Sequence, residues 1–264
     1  MLVGAAVYCW PYVAGTPYLK TYRGVLPRFG NYNLDPPVET REKAIYRKHF
    51  EMFSKAKLDF VFLSWWGRIH YTNTTAKWYF EVAREVGWTG KIAVFLEARD
   101  NGAAIASDAD VDYEADYIHS NFVTVYPELY MNYKGLPLLP IWPPYRGTDP
   151  RFTRRSFGLR DFCPWMRYEQ LVTAENKELM SVMPGCSDVK LWELGERTSY
   201  MHIPRSLEHY RLQWRRVKEV NPDLVLVYSF NEWMESSAIE PCMPLGIPGE
   251  WGEEYLEVTA NRGE

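Results

Sequence analysis

The sequence predicts an α/β protein built as a (β/α)8 TIM barrel, one domain over residues 1–264, degenerate or irregular around residues 146–180. Three observations lead there. Short apolar runs alternate with amphipathic helical stretches along most of the chain, the pattern of a parallel sheet with helical crossovers. The chain has 264 residues, and such a barrel typically takes about 250. Near its end, the apolar run 224–227 gives way abruptly to Asn231, Glu232 and Glu235. Burying a strand does not call for those carboxylates. A reacting centre at the C-terminal end of a barrel strand does. No internal repeat, low-complexity stretch or linker interrupts the chain.

The elements follow in order. Residues 2–10 (LVGAAVYCW) form a buried strand. Residues 11–39 are rich in Pro, Gly, Tyr and Asn without helical period, a long loop of the functional or lid-like kind. Residues 41–58 carry Tyr46, Phe50 and Phe53 on one helical stripe. Residues 59–66 (DFVFLSWW) are a second strand, followed by Gly67. Residues 75–86 form a helix through Trp78, Val82 and Val86, and residues 91–98 (KIAVFLEA) a third strand. A helix over 111–129 and a strand over 137–142 come next. Beyond them the pattern weakens: a strand over 157–165, a helix over 167–178 and a short strand over 180–183. Residues 186–203 read as a loop of mixed charge. Residues 204–220 form a helix with Pro204 near its first turn and Leu207, Tyr210, Trp214 and Val217 on one stripe. A final helix is expected over 250–260.

Composition excludes several functions. The formal net charge is −4, which gives no electrostatic footprint for nucleic acid. No apolar run approaches the ~18 residues of a membrane span. No basic-then-apolar leader opens the sequence, so the expected location is cytoplasmic, or secreted if a leader has been removed. Cys9, Cys163, Cys186 and Cys242 lack zinc-type spacing and read as buried free thiols. The five histidines form no metal constellation; His70 and His202 read as surface residues. No metal or cofactor is expected, and there is no GxSxG, P-loop or GxGxxG. The 11 Trp, 19 Tyr and 12 Phe suit either a packed aromatic core or faces that stack on sugar rings.

The candidate chemistry sits at strand ends. Glu232 and Glu235 are three apart. Past the strand, in a turn or first helical turn, that spacing puts two Cβ atoms roughly 5–6 Å apart on one face. Glycosidases hold two carboxyl groups about 5–5.5 Å apart for retention and ~6.5–9.5 Å for inversion. Close carboxylates push their pKa values apart, giving one acid and one base. The same pair would also serve a solvated acidic loop or structural ion pairs. Glu97 ends the third strand, where it binds sugar hydroxyls or pairs with Arg99. Trp10, Trp65, Trp66, Trp142 and Tyr145 end strands or begin loops, as a sugar-stacking wall would. Asn231 orients a carboxylate or hydroxyl, or caps the turn. Glu240, before Pro241, fastens the loop.

Ser229-Phe-Asn-Glu-Trp-Met-Glu-Ser-Ser-Ala-Ile-Glu-Pro241 closely resembles the SFNEWHEGTQIEP signature of the glycoside hydrolase family 99-like proteins. That group holds the endo-α-mannosidases and the WbsX-type proteins of bacterial polysaccharide loci. Other stretches agree in order: Val61–Gly67 with VVSWWG, the 91–97 strand with one ending in HIEP, Tyr133–Leu138 with YKGKPLF, and Ser181–Gly185 with Asp188 with VMPGYDD. Residues 146–178 are unmatched. The resemblance implies a (β/α)8 barrel that hydrolyses α-linked, mannose-type oligo- or polysaccharides without a metal. It implies that Glu232 draws the proton from the sugar 2-hydroxyl to give a 1,2-anhydro sugar. Glu235 then protonates the leaving oxygen and afterwards activates water, with retention. Glu97, and with the motif Trp233, would contact substrate. Met234 replaces the motif's His, Ser236-Ser237 its Gly-Thr, and the 91–98 strand lacks the His and Pro of HIEP. Competing readings are a glycan-synthesis glycosyltransferase and a non-catalytic glycan-binding barrel.

Overall fold

The structure is a computed structural model that describes residues 1–10, 12–13, 27–28, 31–32, 38–162, 176–244, 246 and 248–264. Most of the expected loop 11–39, most of the expected helix 167–178, and Cys163 lie outside the described residues. The chain opens with β1 (Leu2–Tyr8), then a small antiparallel pair, β2 (Tyr12–Val13) with β3 (Asn31–Tyr32). Then come α1 (Glu39–Lys55), β4 (Phe60–Trp65), α2 (Tyr71–Glu85), β5 (Lys91–Leu96) and α3 (Asp108–Ile118). After these lie β6 (Asn132–Tyr133), β7 (Leu136–Ile141), β8 (Thr153–Ser156) and β9 (Leu179–Val182). The chain closes with β10 (Cys186–Ser187), α4 (Val189–Glu193), β11 (His202–Ile203), α5 (Leu207–Val220), β12 (Leu224–Val227) and α6 (Glu254–Ala260).

The main sheet runs β6-β7-β5-β4-β1-β12-β9, with β8 pairing β7. Every pairing is parallel except that of β6. β4 and β12 are buried at every residue, because parallel strands covered on both faces have no solvent side. β1 follows β4 in register Gly4↔Phe60. At Gly4 a Cβ would meet the Phe60 ring at 2.3 Å, so only glycine fits that crossing. The sheet curls, and its C-terminal strand ends face one mouth. Among the described residues no strand joins β8 to β9, so the barrel is degenerate where the sequence pattern weakened. Side chains bridge that gap: Arg155 and Lys134 both pair with Glu178, just before β9.

Several elements differ from expectation. The fifth strand is Thr-Arg-Arg-Ser at 153–156 and residues 157–162 are turn and bend; the rest of the expected strand, 163–165, lies outside the described residues. It has no apolar run to betray it, and the chain turns away with Arg160 at φ 61. The expected 111–129 helix leaves α-geometry at Ile118 for a wider π-turn, His119–Val123, which keeps Phe122 fully buried. Residues 186–203 are not a plain loop: β10 pairs β11 around α4. These elements are too short to carry a period. α5 begins at Leu207 and not at Pro204, which lies just before it; Ser206 caps the helix, accepting from the His209 N–H at 3.1 Å. Left-handed Asn221 (φ 51) ends α5 before Pro222. Cys9, Cys186 and Cys242 are free and buried. No helix among the described residues is long and apolar enough to cross a membrane.

Candidate active site

A cavity of about 530 Å³ opens at the strand C-termini, within the usual range for small-ligand sites. Its walls come from the ends of β1 (Tyr8, Trp10), β4 (Trp66), β5 (Glu97, Ala98), β7 (Trp142) and β12 (Tyr228, Glu232, Met234, Glu235). The excursion between β9 and α5 adds Asp188, Leu191, Arg197 and Met201.

The segment after β12 holds its carboxylates by bonding to itself. The Glu232 N–H donates to Ser229 Oγ at 2.7 Å. The Ser237 N–H returns to the Glu232 carbonyl at 3.1 Å, and the Glu240 N–H to that of Phe230 at 2.8 Å. The Phe230 N–H donates to Ala6 O at 2.8 Å, tying the segment to β1. Arg205 clasps the outer side, donating to the carbonyls of Ser236 (2.9 Å) and Ala238 (2.8 Å). Its guanidinium lies 3.6 Å from the Trp251 ring centre. Ser236 sits at φ 52, in the left-handed region that glycine occupies most readily.

Within that frame the two glutamates take different partners. Glu232 is 3% exposed. It accepts from the Trp10 indole N–H at 3.3 Å and the Met234 amide at 3.0 Å. Both partners can only donate. Glu235 accepts from Arg197 at 3.1 Å and from the Tyr228 hydroxyl at 3.3 Å. Burial, then the nearby Glu235 charge, holds the Glu232 carboxyl well above the usual range; the Trp10 indole and the Met234 amide oppose them. Burial also raises Glu235, against the Arg197 charge and the Tyr228 hydroxyl, with Asp188 adding to the rise. Burial pushes Glu97 up to about 8, against the Ser64 hydroxyl and with the Glu235 charge adding. Glu97 Oε2 accepts from the Trp66 indole at 3.1 Å. Its Oε1 is buried and has no hydrogen-bond partner among the described residues. Arg99 instead pairs with Asp110 at 2.9 Å.

The structure thus brings Glu232, Glu235, Glu97, Trp10, Trp66 and Trp142 to one cleft. Trp10 stacks on Tyr8 at 5.7 Å and meets Trp66 edge-on at 5.4 Å. Gly67, at φ 114, lets the turn after Trp66 pass so close to Asp100 that a Cβ would lie 2.2 Å from its carbonyl oxygen. Four expected contacts fall elsewhere. Trp65 is fully buried, stacked on Tyr117 of α3 at 6.0 Å. Strand alternation turns it outward where it turns Ser64 and Trp66 inward. Trp233 points back into the core, donating to Glu240 at 2.7 Å and stacking on Trp251 at 4.9 Å. Asn231 spends its amide on Tyr8, accepting from its N–H at 2.7 Å and donating to its C=O at 2.9 Å. Tyr145 packs against the core outside the cleft lining. Glu240 does fasten the segment, held by Trp233 and lying 3.4 Å from His49.

Sequence reasoning passed over Tyr8, Tyr228 and Arg197. The strand-end position that singled out Trp10 applies equally to Tyr8, read as part of the run 2–10, and to Tyr228, just past the run 224–227. Asp188 entered only through the VMPGYDD resemblance, with no role attached, and nothing local marks Arg197. Among the described residues no group of three or more His, Cys, Asp or Glu could hold a metal ion.

No protein-family model matches the sequence, and no curated protein matches it. Solved structures do share its shape. A GH99 endo-α-mannosidase from Bacteroides thetaiotaomicron, in complex with bis-tris propane, superposes with TM-score 0.71 at 19% identity. That match covers 99% of this chain and 95% of that one. A second structure of the GH99 endo-α-mannosidase from Bacteroides thetaiotaomicron gives 0.70 at 18%, covering 98% and 96%. A glycoside hydrolase-like protein gives 0.67 at 12%, covering 100% and 94%. At such identities the likeness is one of fold, and over nearly its whole length this chain folds as those endo-α-mannosidases do.

Proposed function

We propose that the protein is a retaining glycoside hydrolase acting on α-linked, mannose-type glycans. The observation that carries this reading is the pair Glu232 and Glu235, set on one self-bonded turn, lining one cleft, with partners of opposite character. The hydrogen-bond partners of Glu232, the Trp10 indole and the Met234 amide, can only donate, which favours its ionised form against burial and the Glu235 charge and suits a group that works as a carboxylate base. Glu235 has in Tyr228 a hydroxyl that can also accept, which suits a group that must alternate between acid and base. In the proposed reaction Glu232 takes the 2-hydroxyl proton while O2 attacks the anomeric carbon. The glycosidic bond breaks, and Glu235 gives its proton to the leaving oxygen. Water then opens the 1,2-anhydro ring, Glu235 taking its proton and Glu232 returning one to O2, so configuration is retained. The fold shared with the GH99 structures and the Trp10, Trp66 and Trp142 faces in the cleft support a glycan as substrate.

The test is hydrolysis of α-mannosides and related α-linked glycans by the wild type, Glu232→Gln and Glu235→Gln, with folding checked by circular dichroism. General acid–base groups contribute about 10²–10⁴ in rate, so each variant is expected to lose at least ~100-fold in kcat. Cleavage at full rate by both variants would sink the assignment.

A further inference from the structure

We propose that Tyr8 and Tyr228 form a two-hydroxyl relay that lets Glu235 exchange its proton without losing a hydrogen-bond partner. The two hydroxyls lie 2.6 Å apart, and Tyr228 donates to Glu235 Oε2 at 3.3 Å. They arrive from neighbouring strands. Tyr8 ends β1, Tyr228 follows β12, and the strands pair in register Ala5↔Val227. Both side chains are buried, at 7% and 4% exposure, and both line the cleft.

A phenol both donates and accepts, so the chain can run in either direction. With Glu235 ionised, the Tyr8 hydroxyl donates to Tyr228 and the Tyr228 hydroxyl to Oε2. With Glu235 protonated on Oε2, that proton points to Tyr228, Tyr228 donates to Tyr8, and the Tyr8 proton turns to the cleft. No bond is lost on switching: the two hydroxyl protons reorient and one proton is added on Oε2. The other partner of Glu235, Arg197, can only donate and favours the anion in either state. The remaining ionisable groups around Glu235 are Glu232 on its own segment, Glu97 after β5, and Asp188 and Cys186 between β9 and α5. None of these offers Oε2 a hydroxyl. Among the described residues nothing equivalent serves Glu232, whose bonded partners are an indole and an amide.

The catalytic consequence rests on the glycosidase reading; the relay itself does not. The experiment therefore reads the carboxyl directly. Side-chain ¹³C-labelled glutamate, assigned with Glu235→Gln, gives the Glu235 titration midpoint by NMR in the wild type, Tyr228→Phe and Tyr8→Phe without substrate. Removing a donor to a carboxylate disfavours the anion, so Tyr228→Phe is expected to raise the midpoint by about half a pH unit or more. Tyr8→Phe should raise it by less. In glycan hydrolysis, the alkaline limb of kcat/KM should move upward in the same order. An unmoved midpoint in Tyr228→Phe overturns the proposal. So does a rise in Tyr228→Phe with none in Tyr8→Phe, since Tyr228 would then act alone. If the wild type cleaves no glycan but the midpoints shift as expected, the glycosidase reading fails and the relay stands.

Discussion

Glu97 shows how much one side chain can carry. It is held by the Trp66 indole, keeps one buried oxygen without a partner, and is pushed up to about 8 mainly by burial. The unfolded chain would titrate it near its ordinary value of 4.5. Between those two values the folded protein binds a proton that the unfolded chain has released. Linkage then makes stability fall as pH rises across that window. The contribution is fully present below ~4.5 and lost by ~8, at a cost of a few kcal/mol at most. Glu97→Gln removes the titration. It is expected to melt higher than the wild type at pH 8 and to converge with it near pH 4.5, which thermal denaturation across pH would show. A parallel pair of melting curves would contradict the perturbed state of Glu97.

At the scale of elements, the segment after β12 is held from behind by α5's leading loop and by α6. Arg205 reaches two of its carbonyls and stacks on Trp251, with Tyr255 of α6 beyond at 4.6 Å. Burial lowers Arg205 to about 10, still cationic at neutral pH. Arg205→Leu would leave the carbonyls of Ser236 and Ala238 without that donor. The expected loss is ~2–4 kcal/mol, with a fall in activity although Arg205 does not line the cleft; urea denaturation and kcat measure both. This part of the molecule also shows what the sequence could reveal. The four-residue run of β12 and the cluster of acids after it were plain, since apolar strands and strand-end carboxylates differ sharply in chemistry. Where Trp233 points was not, because residues beyond a strand's last hydrogen bond no longer follow its period of two. Trp65 and Trp66 were both proposed as wall, although neighbours on one strand must face opposite sides. β8 was missed since its two arginines look like surface, and Arg197 since no local pattern ties it to Glu235 38 residues away.

For the whole molecule, the interval between β8 and β9, which no described strand bridges, places weight on polar groups. Glu178 accepts from Arg155 and Lys134, and Asn176 accepts from the N–H groups of Glu178 and Leu179. Arg155, then Lys134, holds the Glu178 carboxyl below its usual range against burial. A depressed folded value means stability present above the unfolded value and lost as pH falls. Acid should therefore weaken this clasp as Glu178 takes up its proton. Glu178→Gln is expected to lose about 1 kcal/mol at neutral pH and low salt, less at high salt. It should also blunt the acid loss, as denaturant midpoints at two ionic strengths and two pH values would show.

The Trp233 indole, turned away from the cleft onto Glu240 and Trp251, bears on motion. Since the carboxylate turn shares this buried stack with the approach to α6, the two are expected to open together. The amides of Glu232, Glu240 and Trp251 are expected to behave as one cooperative unit, exchanging together at a single free energy in hydrogen exchange. Distinct free energies for the three amides would show that the carboxylate turn opens on its own.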